Sequence, residues 1–156
     1  MPRFFKTVLL TGLFVGTTDL INAYVTVFVK TGKFSDKMLY FIAGGALGLE
    51  NSLKGGNGIA LLGLFFHYFI AFSYTLFFFL LFPRLKFLSY NKYLVGMLYA
   101  VFVNLTMGQI VLRLSRLPVG PLVIANTIIE WLVLGVVLGI PIAYNTYRYY
   151  GQTDKA

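Results

Sequence analysis

Four long apolar runs are the feature of this sequence that most restricts its fold. They cover approximately residues 6–29, 59–82, 93–112 and 122–144. The hydrocarbon core of a bilayer is about 30 Å thick and takes about 20 helical residues to cross. A backbone in lipid must satisfy its own hydrogen bonds, and these runs lack the alternation of barrel strands. We therefore predict an all-α integral membrane protein, with four transmembrane helices in a compact bundle.

The composition supports a single membrane domain of 156 residues. Hydrophobic residues make up 58% and charged residues 12% of the chain, whereas a soluble domain has about 25% charged residues. This balance excludes a soluble enzyme, a disordered chain and a nucleic-acid-binding domain. The net charge of +8 comes from basic residues that flank the apolar runs, where they would contact anionic lipid headgroups. The chain has no cysteine, so disulfides and thiolate chemistry are excluded.

A shorter apolar segment at about residues 37–49 lies between spans one and two. It is too short to cross a bilayer as a helix. We predict a short interfacial or re-entrant helix there. The GGNG sequence at residues 55–58 lacks the Lys-Ser/Thr pair of a phosphate-binding loop, so it is interpreted as a turn.

The N-terminus and the basic residues bear on orientation. Arg3 and Lys6 precede the first run as in a signal peptide, but a run that continues to Val29 is too long for one. The first run is therefore predicted to be retained as a span. Seven basic residues share a side with the termini and six lie on the other side, which favours cytoplasmic termini, although so near a tie also fits dual topology. The two sets are Arg3, Lys6, Arg84, Lys86, Lys92, Arg148 and Lys155, and Lys30, Lys33, Lys37, Lys54, Arg113 and Arg116.

Five polar residues within the predicted spans are the candidate site. Asp19, His67 and Glu130 are ionisable, Asn104 is a polar companion, and Asn126 lies one helical turn before Glu130. Such groups are costly in lipid, so they usually face the bundle interior and pair. Measured from the span centres, Asp19, His67, Asn104 and Glu130 fall on the same side, each within about 4.5 Å. The sequence therefore predicts one intramembrane polar layer.

Small residues accompany these polar residues on the same helix faces. Asp19 follows a GxxxG pair, His67 follows a glycine at the i+4 spacing, and Asn104 lies within a stripe of small residues. Close helix packing in membranes favours such positions. The predicted helix-packing glycines are Gly12, Gly16, Gly63, Gly96 and Gly108.

The polar layer has three interpretations. It could be structural, with Asp19 bonded to His67 and Glu130 bonded to Asn104 or Asn126. It could handle a proton, an ion or a small ligand, because histidine titrates near neutral pH. One histidine and two carboxylates could also bind zinc by ligand type, but their distances are unknown, and no metal site is assigned. No nucleophile motif is present, so no catalytic residue and no cofactor are predicted.

Several stretches together resemble a family of uncharacterised four-span membrane proteins of the Bacteroidota type, distantly similar to the YagU-like inner-membrane family. The resemblance implies a multi-pass protein of the bacterial inner membrane. It also implies that Asp19, His67 and the glycine-rich first loop are shared features. Members often have a histidine where this chain has Glu130-Trp131, which argues against a shared metal chemistry. The stretches are GLFVGTTD (12–19), FIAGGALG (41–48), Gly55-Gly56, GLFFHYFIAF (63–72), 96–100 and GIPIA (139–143).

Two functions follow from these observations. The small size and the absence of a catalytic motif favour an accessory or structural subunit of a membrane assembly over an enzyme. The alternative is a homo-oligomeric small transporter or channel that uses the buried Asp/His/Glu layer for a proton, an ion or a small ligand. An intramembrane enzyme acting on lipid has less support. The expected partners are the lipid bilayer, other membrane proteins or further copies of the chain, and not nucleic acid.

Overall fold

The described part of the chain is helical, without strands. A computed structural model describes residues 3–117 and 124–153, except the side chains at positions 30, 124–127 and 153. The helices are α1 (Arg3–Thr31), α2 (Lys37–Leu47), α3 (Leu49–Ser52), α4 (Asn57–Leu81), α5 (Lys92–Thr106), α6 (Leu112–Leu114), α7 (Ile124–Leu134) and α8 (Ile140–Thr153). Two π-helical segments, Met107–Val111 and Gly135–Gly139, join α5 to α6 and α7 to α8.

Four helical stretches of the described residues are long and apolar enough to cross a membrane, which confirms the predicted fold class. They are Arg3–Val29, Asn57–Arg84, Lys92–Leu114 and Ile128–Gln152, here called spans 1 to 4. The first three agree with the predicted bounds to within a few residues. Span 4 continues well past the predicted end at residue 144. Its predicted start at residue 122, the side chain of Asn126 and Lys155 lie outside the described residues.

Span 4 continues because the bundle accommodates Pro141. Proline has no N–H, so Pro141 cannot donate a hydrogen bond to the carbonyl of Val137 four residues earlier. The Thr18 hydroxyl of span 1 lies 3.2 Å from that carbonyl and shares its one proton between it and the carbonyls of Phe14 and Val15 in its own helix, each at 3.0 Å. The π-helical segment Gly135–Gly139 ends two residues before Pro141, and the helix then continues to Thr153. Pro141 therefore marks a contact between spans 1 and 4 and does not end the span.

Spans 3 and 4 approach each other at paired glycines. A Cβ atom added to Gly96 would lie 2.7 Å from the Cα atom of Ile140, and one added to Gly139 would collide with the carbonyl oxygen of Gly96. A Cβ atom added to Gly135 would likewise collide with the side chain of Met97. The two backbones are therefore in direct contact, as small-residue faces allow in membranes.

Span 1 packs against span 2 through Gly12 and Gly16. A Cβ atom at Gly12 would meet the ring of Phe72, and one at Gly16 would lie 2.8 Å from the ring of Tyr68. Gly108, in contrast, has no neighbour within 4 Å of a Cβ position among the described residues. These residues therefore supply no close contact for Gly108, which the sequence predicted to be a helix-packing residue.

The short helix α2 is bound against span 2. The backbone of Leu39 lies so close to Gly63 that a Cβ atom there would collide with the Leu39 carbonyl. At its other end, the carbonyl of Gly45 accepts a hydrogen bond of 3.2 Å from the backbone N–H of Arg116, which follows span 3. The helix ends at Gly48, whose φ of 83° suits glycine. The predicted short helix is confirmed, and it bridges the ends of spans 2 and 3.

The tightly packed core is centred on the end of the bundle where span 2 is joined to span 3. Phe78 and Tyr99 belong to it, with ring centroids 4.6 Å apart. Near this end, the ammonium group of Lys92 lies 4.7 Å from the ring centroid of Tyr144. The buried core residues are Val15, Phe78, Leu88, Val95, Tyr99, Val103, Leu138, Ile142 and Ala143. At the α2 end, the four spans enclose an open space instead.

We expect Gly63→Ala to lower the free energy of unfolding by about 1–3 kcal/mol, the usual cost of overpacking. The added methyl group would displace α2 from span 2, although alanine favours helix by about 1 kcal/mol over glycine. Gly58→Ala is the matched control, since Gly58 lies in the same helix and no described residue comes within 4 Å of its Cβ position. It should not reduce stability. Thermal unfolding in detergent, followed by circular dichroism, measures both, and equal responses would contradict the α2 contact.

Candidate functional site

A cavity of about 520 Å³ lies between the four spans beneath α2. Its wall is mostly apolar and includes residues of every span and of α2. The polar residues that line it are Asp19, His67, Tyr74, Asn104 and Ser115. Three of the five predicted site residues are therefore brought to one space, at the level of the membrane-spanning helices.

Both π-helical segments contribute to this cavity. Met107 and Val111 line it from the segment in span 3, and Leu138 lines it from the segment in span 4. A π-helical turn carries an extra residue and often occurs at functional sites. Nothing in the apolar periodicity of the sequence indicated these two turns.

His67 holds span 2 to the backbone of span 1. Its Nε2 atom lies 2.8 Å from the carbonyl oxygen of Gly16. A carbonyl oxygen only accepts, so Nε2 carries the proton, and Nδ1 is the acceptor in the neutral imidazole. The absence of a side chain at Gly16 allows this approach, since Tyr68 packs directly over that position. His67 therefore bonds to a backbone carbonyl. The predicted hydrogen bond between His67 and Asp19 is not formed.

Asp19 lines the cavity without a hydrogen bond. Within residues 3–117 and 124–153 no donor lies within hydrogen-bonding distance of its carboxylate, and its interaction with His67 is electrostatic. No fully enclosed side-chain oxygen or nitrogen in this part of the chain lacks a partner. The carboxylate oxygens of Asp19 are therefore open to the cavity and not sealed in the core.

Asn104 bonds to a residue that the sequence interpretation left unassigned. Its Oδ1 atom accepts a hydrogen bond of 3.0 Å from the indole Nε1–H of Trp131 in span 4. Trp131 is the only tryptophan of the chain. A buried tryptophan usually needs a partner for its N–H, and this requirement is the signal that could have paired it with Asn104.

Glu130 does not join the polar layer. Its side chain is exposed on the outer surface of the bundle and does not line the cavity. Successive residues of a helix are rotated by about 100°, so the inward position of Trp131 turns Glu130 outward. This corrects the expected pairing of Glu130 with Asn104. The side chain of Asn126 lies outside the described residues, so its predicted contact with Glu130 has no structural counterpart here.

The remaining polar groups of the cavity bond to one another or to the backbone. The hydroxyl groups of Tyr74 and Thr106 are 2.7 Å apart, and the Ser115 hydroxyl donates to the carbonyl of Leu112 at 2.7 Å. The Tyr99 hydroxyl donates to the backbone carbonyl of Tyr74. Among the described residues, no group of three His, Cys, Asp or Glu side chains could hold a metal ion.

The contrast between Asp19 and Asn104 leads to a stability prediction. Asn104→Leu should lower the free energy of unfolding by about 0.6 kcal/mol, the average for a membrane hydrogen bond, because the indole N–H of Trp131 loses its acceptor. Asp19→Leu should leave stability unchanged or raise it, since no hydrogen bond is lost and a buried carboxylate is removed. Thermal unfolding of both variants in the same detergent makes the comparison. A loss of 1–2 kcal/mol for Asp19→Leu would show that this carboxylate is structural.

The chain matches no protein-family model, no curated protein and no solved structure. The resemblance to the bacterial four-span family therefore stays a prediction from the sequence. The fold is supported by the helices themselves, and any function must be argued from the cavity and its residues.

Proposed function

We propose that this protein is a small transporter of the bacterial inner membrane that binds a small ligand in the cavity beneath α2. The observation that carries the proposal is the carboxylate of Asp19, which lines an apolar cavity and accepts no hydrogen bond from the described residues. Ionisable groups within spans usually mark ligand or ion pathways. The proposed orientation places both termini in the cytoplasm.

The energetics favour a functional role for Asp19 over a structural one. A carboxylate removed from water costs several kcal/mol unless it is paired and hydrogen-bonded. The hydrogen bonds that join the spans near the cavity come from His67, Asn104 and Tyr74, so the bundle does not depend on Asp19 for them. The carboxylate of Asp19 is costly to bury and yet faces the cavity. This position supports a bound ligand as its partner.

Helix α2 covers the cavity and is flanked by glycines at both of its ends. Helix α2 contributes Phe41 and Ala46 to the cavity wall, and glycines with positive φ angles stand on both sides of it, at Gly32, Gly48, Gly55 and Gly56. Such residues absorb backbone rotation at low cost. Four spans are few for alternating access, so the proposed transporter acts as a homo-oligomer.

Cysteine labelling tests this proposal, because the chain has no cysteine of its own. Ala71→Cys places a thiol on the cavity wall of span 2. We expect it to react with a membrane-impermeant trimethylammonium methanethiosulfonate in both right-side-out and inverted membrane vesicles, since a transporter exposes its site to each side in turn. Lys33→Cys, exposed in the first loop, should react in one vesicle type and thereby reports the orientation of the chain.

Phe69→Cys is the matched control, because Phe69 lies two residues from Ala71 with 60% of its surface on the outside of the bundle. A thiol in lipid should not react in either vesicle type. Reaction of Ala71→Cys from one side alone would contradict transport and leave only binding. No reaction from either side would contradict both.

Glu130 supports a second candidate function, that of an accessory subunit in a membrane assembly. Its carboxylate is exposed on the outer face of span 4, and no ion pair or hydrogen bond involves it among the described residues. A charged group facing lipid is costly, and a residue of a second protein on this face would remove that cost.

Native mass spectrometry distinguishes the two candidates. For an accessory subunit, the tagged protein extracted from its own host in mild detergent should carry other chains, and Glu130→Leu should release them. For the proposed transporter, the protein should appear as a homo-oligomer without other chains. A lone monomer would argue against both candidates.

A further inference from the structure

We propose that the ligand of the cavity is a small organic cation, a protonated amine on an apolar body, and that Asp19 is its counter-ion. This inference rests on the proposed binding function and specifies the chemistry of the ligand. It follows from the charges, the free hydrogen-bonding groups and the wall of the cavity, taken in turn.

The charged lining of the cavity favours a cation. Among the described residues that line the cavity, Asp19 is the only acidic one, and none is lysine or arginine. An anionic ligand would therefore meet a carboxylate of the same sign, without a lysine or arginine of this lining to offset it. An ammonium group would meet an opposite charge in a water-poor space, where such a pair is stronger than in water.

Among the described residues that line the cavity, Asp19 supplies two open carboxylate acceptors, and Asn104 supplies the open N–H donors of its amide group. The Nε2–H of His67 is donated to Gly16, and the hydroxyl groups of Tyr74 and Ser115 are already bonded. The two oxygens of Asp19 remain open as acceptors. A protonated amine brings N–H donors and no acceptor, so it satisfies the carboxylate without leaving a new group unpaired.

The wall of the cavity fits an apolar body around the charge. Phe41 and Phe66 line it together with Ile70, Leu134 and other aliphatic residues. Aromatic faces attract cations, and the volume of about 520 Å³ lies within the usual range for small-molecule sites, about 300–1,000 Å³. A divalent metal ion fits less well, because the described residues contain no group of three metal-ligating side chains.

Three rigid probes of equal shape and different charge test the inference: 1-adamantylamine, 1-adamantanol and adamantane-1-carboxylate. Trp131 is the reporter, since it is the only tryptophan and bonds to the cavity residue Asn104. The purified full-length protein in detergent is titrated with each probe while Trp131 emission is followed. We expect saturable binding of the amine at least tenfold tighter than that of the alcohol, and no saturable binding of the carboxylate.

Two variants identify the counter-ion. Asp19→Asn should reduce the affinity for the amine to that for the alcohol, because it keeps the shape of the side chain and removes its charge. Glu50→Gln is the matched control, since Glu50 is an exposed carboxylate outside the cavity. It should leave the affinity for the amine unchanged. The alcohol should bind wild type and Asp19→Asn equally.

The outcomes separate this inference from the proposed function. Equal binding of amine and alcohol, or an amine affinity unaffected by Asp19→Asn, would overturn the cation assignment and leave a cavity that binds neutral molecules. Preference for the carboxylate would overturn it as well. Absence of saturable binding for all three probes would remove the binding function itself.

Discussion

The contact between the backbone of Leu39 and Gly63 is the constraint on which the candidate site depends. It seats α2 against span 2 with no side chain between the two backbones. Because α2 is fixed there, Phe41 and Ala46 lie over the space between the spans and turn an open cleft into a covered cavity. The second attachment, between Gly45 and the backbone of Arg116, joins the same helix to the end of span 3. The cavity is therefore a product of the loop as much as of the four spans.

Hydrogen bonding inside the membrane explains how the spans are joined and why Asp19 differs from its neighbours. Polar groups removed from water need partners, and the bundle supplies them between helices: His67 to Gly16, Trp131 to Asn104, and Thr18 to the Val137 carbonyl that Pro141 leaves without its usual donor. The first two bonds join two spans, and the Thr18 hydroxyl divides its one proton between Val137 and carbonyls of its own helix. Asp19 makes no such bond among the described residues, and its contribution is a carboxyl group on the wall of an apolar space.

The sequence was sufficient to predict the four spans and the short helix, because length and hydropathy decide what crosses a bilayer. It also predicted that Asp19, His67 and Asn104 lie at one depth in the membrane, because depth follows from position along a span. It could not predict which side of each helix faces the interior of the bundle. Glu130 and Trp131 are neighbours in the chain, and only packing against span 3 decided which of them faces inward. The two π-helical turns and the approach of Gly96 to Gly139 likewise depend on contacts between distant segments, which apolar periodicity does not record.

The hydrogen bond between Thr18 and Val137 also bears on how the protein is made. A membrane protein is inserted from its N-terminus as it is synthesised, so span 1 waits in the bilayer through the synthesis of some 120 further residues. Until span 4 is made, the Thr18 hydroxyl donates within its own helix, to the carbonyls of Phe14 and Val15. When Pro141 brings in a carbonyl without its usual donor, that hydroxyl is already in the membrane and can share its proton. Span 1 thus waits for a contact that a later segment supplies, and a nascent chain stopped before Pro141 would lack it.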